Sequence, residues 1–131
     1  MKTSLEDLLI IHIKNKNTPE AKKLIDSGVD IHYLNDLPLA LSASLGLDEL
    51  FNYLLEHDAN PLAVKSRSLK ITSQKGQIDL VEVLLNKGLN RKIAEDNANE
   101  RTLSFLSKKD LKDKLENKLQ NDNKPKDKKN K

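Results

Sequence analysis

Residues 68–90 read SLKITSQKGQIDLVEVLLNKGLN, and the half from Gly76 onward decides the fold. Leu80, Val81, Leu84 and Leu85 stand at i, i+1, i+4 and i+5, which places them on one stripe of an α-helix. Gly76 precedes the stripe and Gly88 follows it. Glycine enters left-handed backbone without a side-chain clash, so both read as helix terminators. The unit is helix, tight turn, helix, turn.

The same unit stands 30 residues upstream, with Leu50, Phe51, Leu54 and Leu55 on the stripe and Gly46 ahead of it. The segments LIDSGVD (24–30), LLEHDAN (54–60) and LLNKGLN (84–90) share this spacing. Asp58 takes the place of Gly28 and Gly88, and Asp tolerates left-handed backbone better than most residues. Ala21, Phe51, Val81 and Leu111 form one apolar column, and Ile25, Leu55, Leu85 and Leu115 a second. Self-similarity at such a period marks a stack of supersecondary units. Ser42 and Ala43, then Thr72 and Ser73, occupy the centres of the first helices. Small residues there let helices approach, and the hydroxyls bond back to a carbonyl one turn earlier.

Residues 38–61 and 68–90 resemble ankyrin repeats. The second stretch matches the latter half of the family pattern through Gly76, Asp79, Leu80, Val81, Leu84, Leu85 and Gly88. The resemblance covers residues 5–118 and is strongest over 24–90. It implies an all-α, helical-hairpin solenoid closed by N- and C-terminal capping units. Family units run to about 33 residues, and these are 30. The shortening falls between Tyr33 and Pro38 and between Ala63 and Ser68, where the family projects a hairpin, so short or irregular fingers are expected. The family's Thr-Pro-Leu-His opening survives only as LPLA (37–40) and RSLK (67–70).

The expected organisation is a repeat domain over 1–120, comprising a cap at 4–33, repeats at 34–63 and 64–93, and a second cap at 94–120. Leu8, Leu9, Ile11 and Ile13 build the first cap helix. Thr18-Pro19-Glu20 starts the next, with Thr18 as the capping side chain. Glu20 replaces the leucines at 50 and 80, as an outward face requires. Ser107 followed by Asp110 reads as the start of the last helix, with Leu111, Leu115 and Leu119 on one face. Residues 121–131, NDNKPKDKKNK, have no core-forming side chain and read as a disordered basic tail.

The 131 residues are 37% hydrophobic and 33% charged, with 3% aromatic and no cysteine. Disulfides and thiolate chemistry are thereby excluded. The net charge of +3 is uneven: residues 108–131 carry 10 lysines and 5 acids, leaving the rest slightly acidic. Residues 1–16 lack the basic start and long apolar run of a secretory signal. No apolar run approaches a membrane span. A cytoplasmic protein, monomeric when free, is expected.

Catalytic signals are weak. His12, His32 and His57 occupy different repeat positions without metal-ligand spacing, so no metal or other cofactor is expected. The adjacent acids Asp48-Glu49 and Glu95-Asp96 read as solvated faces. Lysines without interleaved aromatics make nucleic acid a lesser reading. What remains is surface, and an enzyme is not expected.

In proteins resembling this one, the turns and first helices line a concave recognition side. The resemblance places Tyr33, Leu34, Asn35, Asp36, Ser44 and Leu45 there from one unit. Lys65, Ser66, Arg67, Gln74 and Lys75 come from the next, and Glu95, Asp96 and Asn97 from the last. The expected function is to hold a protein partner on that face, as adaptor or inhibitor. Two alternatives are a microbial host-directed effector or immunity-type protein and a nucleic-acid-associated protein acting through the Lys-rich tail.

Overall fold

The computed structural model describes residues 3–123. Eight helices follow in order among them: α1 (Leu5–Lys14), α2 (Thr18–Asp26), α3 (Tyr33–Ser44), α4 (Asp48–Glu56), α5 (Ala63–Lys75), α6 (Ile78–Asn86), α7 (Arg91–Asn97) and α8 (Glu100–Asn123). No strand occurs among the described residues, so the chain is all-α. The helices pair along the chain, and the pairs pack in chain order. α1 lies against α3, α3 against α5, and α5 against α7; behind them α2 packs on α4 and α6 on α8.

The 30-residue frame is written into the backbone. Asn17, Leu47 and Gln77 donate their N–H groups to the carbonyls of His12, Ser42 and Thr72. Gly28, Asp58 and Gly88 donate to Ile25, Leu55 and Leu85. Positive φ recurs in step at Lys16, Gly46 and Gly76, and at Gly28, Asp58 and Gly88. The expected turns therefore form, with Asp58 at φ 70° in a glycine's place.

Burial follows the first expected column through three units, while the second is buried at Ile25 and Leu55 and only half-buried at Leu85. Ala21, Phe51 and Val81 are fully buried, as are Leu50, Leu54, Leu80 and Leu84. Burying each large aliphatic or aromatic side chain contributes about 1.5–3 kcal/mol. Ser42, Ala43, Thr72 and Ser73 are also buried, and Ser42 Oγ and Thr72 Oγ1 donate to the carbonyls of Leu39 and Leu69. Helix α2 is capped by Asn17, whose side-chain oxygen accepts from Glu20 N–H; Thr18, the expected cap, is its first residue.

The fourth unit departs from the frame. Leu111 and Leu115 are 60% and 54% exposed, so both expected columns end before them. Ser107 starts no helix, because α8 already begins at Glu100. The cause is a shortened first segment: α7 has 7 residues where α5 has 13, and α7 lacks the left-handed turn that Val64, Lys65 and Ser66 form within α5. The turn before α8 thus falls at Asn99, 22 residues after Gln77 rather than 30. In this shorter step Ala94 takes the buried place of Thr72, Thr102 that of Leu80, and Leu106 that of Leu84. Thr102 Oγ1 and the Asn99 N–H both donate to the Ser73 carbonyl, tying the last unit to its neighbour. Arg91 closes the pair, its guanidinium engaging Glu95, Asp110 and the Leu106 carbonyl. Asp110 mainly, and Glu95 less, hold that guanidinium's pKa above its ordinary value.

From Asp110 to Asn121 every side chain of α8 is exposed. The tail expected from residue 121 begins inside this helix, since α8 runs to Asn123. The rest of that segment, 124–131, lies outside the described residues.

Candidate functional site

The first helices α1, α3, α5 and α7 stand side by side. The turns at the start of α3 and α5 hold runs of left-handed backbone. Leu34, Asn35 and Asp36 have φ of 54°, 58° and 61°, and Val64, Lys65 and Ser66 have 52°, 53° and 61°. Each triplet is one left-handed turn ahead of a right-handed helix. Left-handed helix costs an L-residue roughly 1–2 kcal/mol, and a β-branched valine is among the worst fitted to it. These turns occupy the shortened connections where irregular fingers were expected.

Side-chain bonds hold the first turn. Asp36 is buried, accepting from the Asn60 N–H at 2.7 Å with a carboxylate oxygen 3.0 Å from His32 Nδ1. Asp30, Asn60 and Asn90 each accept from a backbone N–H two residues on, closing the same turn in three units.

The expected face residues divide by exposure. Leu34, Asn35, Lys65, Gln74, Lys75, Glu95 and Asp96 are exposed. Ser44, Leu45, Arg67 and Asn97 are half-buried, with Leu45 packed on the core. Asp36 and Ser66 are buried and offer a partner nothing directly; the left-handed turns carry them inward. Tyr33 donates its hydroxyl to Asp7 of α1. That bond mainly lowers the Asp7 pKa and raises that of Tyr33. Glu95 and Asp96 pair with Arg91 and Lys92 within α7.

Some of these residues meet. Arg67 Nη2 donates to the Asn35 carbonyl at 3.1 Å, and Gln74 Nε2 to Asn97 Oδ1 at 3.3 Å. Ser44 and Arg67 share an open groove of about 210 Å³ with Leu37, Ala40, Leu41 and Ile71. Leu37, Leu41 and Ile71 were not among the expected face residues. The signal for them lies in the repeat: Ile11, Leu41 and Ile71 form a third apolar column at 30-residue spacing. Ile93 continues it by the shorter final step. Unlike the core columns, this one stays at the surface: Ile11 is 45% exposed and the others are half-buried.

Among the described residues no group of three or more His, Asp or Glu side chains is placed to hold a metal ion. No described helix is long and apolar enough to cross a membrane. Comparison with family models, with curated proteins and with solved structures finds no match for the chain.

Proposed function

We propose that this chain is a short ankyrin-like array that binds a protein partner across its first helices and the left-handed turns ahead of them. Binding, rather than catalysis, is its output. The observation that carries this reading is the surface column Ile11, Leu41, Ile71 and Ile93. A repeated apolar row half out of the core gains its burial from a second surface. The exposed Leu34 and Val64, 30 residues apart at the strained turns, extend the apolar character to the edge of the face. Strained backbone clusters at ligand clamps and switch regions, which favours this edge as part of the binding face.

The array's frame of matched hydrogen bonds at a constant 30-residue pitch supports this reading. The test compares affinity isolation from extract by the wild type, by Ile11→Ser with Leu34→Ser, and by Lys22→Ala with Tyr53→Phe on the α2–α4 side. The first pair replaces exposed side chains, so the fold survives. A partner retained by the wild type and the third protein but lost from the second supports the reading. Loss on the α2–α4 side alone rejects it.

A further inference from the structure

We infer that the partner presents an acidic segment with one aliphatic or aromatic side chain among its carboxylates, seated in the groove between α3 and α5. This rests on the binding reading above and gives its chemistry. The groove supplies the apolar half: Leu37, Ala40, Leu41 and Ile71 line a space of about 210 Å³, enough to take a single large side chain.

Charge supplies the other half. Helix α5 carries Lys65, Arg67, Lys70 and Lys75 and no acid. Among the described residues none of the four forms an ion pair. The acids of the flanking helices are already engaged. Glu95 and Asp96 of α7 pair with Arg91 and Lys92, and Asp36 of α3 is buried on His32 and the Asn60 N–H. On the α2–α4 side, by contrast, Lys22 pairs with Glu49 and Lys23 with Glu20.

Arg67 joins the two halves, since it lines the groove itself. Its Nη2 donates to the Asn35 carbonyl at 3.1 Å, a neutral acceptor that fixes the guanidinium without cancelling its charge. Its Nε is buried and finds no acceptor among the described residues. A fixed, uncompensated guanidinium at the rim of an apolar groove suits a carboxylate, which it can meet with two parallel hydrogen bonds. Complementary charge would also steer the partner to this face. A nucleic acid would answer the cations but leave the leucine and isoleucine lining unused.

The test selects peptides from a phage-displayed random library on the full chain, then titrates those recovered by fluorescence anisotropy beside a single-stranded oligonucleotide. The expected peptides are rich in Asp and Glu around one Leu, Ile, Phe or Tyr. Their affinity should fall at least about tenfold on Arg67→Gln, and likewise when the peptide's acids become amides, a comparison that leaves the protein unaltered. Neutral or basic peptides that respond to Leu41→Ser but not to Arg67→Gln would overturn the inference and leave the binding face standing. Recovery of no peptide, or of peptides indifferent to every first-helix substitution, would overturn both. Displacement of the peptides by a more tightly held oligonucleotide would reassign the cations to phosphate and end the inference.

Discussion

Asp36 holds Asn60 across the interval between successive turns: its carboxylate accepts the Asn60 backbone N–H at 2.7 Å while the side chain is buried. The same bond stands 30 residues earlier, where Glu6 accepts from the Asp30 N–H at 3.0 Å. An acid therefore holds the turns at Asp30 and Asn60; the equivalent position one unit on is Ser66. Hydrogen bonds to a charged group contribute about 1.5–3 kcal/mol. Asp36→Ala should lose stability of this order in urea unfolding. Asp36→Asn keeps an acceptor and a residue tolerant of left-handed backbone, so it should lose clearly less. Equal midpoints for the two variants would reject the role of the acceptor.

The register of the last unit can be read from two leucines. Leu106 is 2% exposed and Leu111 60%. Leu106→Ala should cost about 2–4 kcal/mol, in the range for a leucine removed from a packed core. Leu111→Ala should stay within roughly 0.5 kcal/mol of the wild type. Denaturant unfolding of both variants checks this. The opposite ranking would restore the 30-residue step to the fourth unit.

Those leucines also mark where the sequence stops being legible. Through three units a residue's place follows from its distance to an equivalent one, because each unit buries its stripe against the next with a second helix of the same 9 residues at the same pitch. Phe51 and Val81 could be placed as buried on that ground alone. Leu111 satisfied the same arithmetic and lies in water, because the last unit lacks the left-handed approach turn and the pattern slipped with the shorter step. The compensating signal, Thr102 at a leucine's position and Leu106 after it, is too short to outvote two columns of four aligned apolar residues. The left-handed turns were hidden for another reason. Leu34 and Val64 avoid that backbone in isolation, so local propensity argued against both turns, the first of which the bonds of Asp36 hold. The groove was missed because its column is half-buried. Leu41 and Ile71 have neither the full burial of the core columns nor a place in the turns that the resemblance marks as the recognition side.

Gly76 and Gly46 occupy equivalent turns with nearly equal φ, 69° and 73°, but different surroundings. A Cβ on Gly46 would have open space, its nearest neighbour being Gln77 Nε2 at 4.0 Å. A Cβ on Gly76 would lie 2.7 Å from Asn99 Nδ2 and 2.9 Å from Asn99 Oδ1. Asn99 cannot yield freely, because its Oδ1 accepts from the Thr102 N–H at 3.0 Å at the start of α8. Both glycine-to-alanine changes should destabilise by about 1 kcal/mol through the left-handed backbone. Gly76→Ala should cost about 1 kcal/mol more, the value of a helix cap. In an Asn99→Ala background that excess should shrink, which a double-mutant cycle would register as coupling. Equal losses for the two glycines, or an excess unchanged by Asn99→Ala, would reject the crowding.

Tyr33 and Asp7 connect α3 to α1, and their bond should impress itself on the pH dependence of stability at both extremes. The Tyr33 hydroxyl is the chief reason the Asp7 carboxyl ionises below its ordinary 3.8, with Ser4 second. Asp7, followed by desolvation, raises Tyr33 above its ordinary 10.0. For a lowered acid, the unfolded chain takes up the proton first as pH falls. Its stabilisation is therefore complete above 3.8 and lost as pH drops through the folded value. For a raised phenol, the unfolded chain gives up the proton first as pH rises. That contribution is complete below 10.0 and lost as pH climbs through the folded value. Tyr33→Phe removes the hydroxyl and with it both effects. The difference in thermal stability between wild type and Tyr33→Phe should form a plateau between these limits and close on either side, since Asp7 keeps only the weaker help of Ser4 in the variant. A difference that stays constant through both limbs would mean that the hydroxyl contributes packing alone.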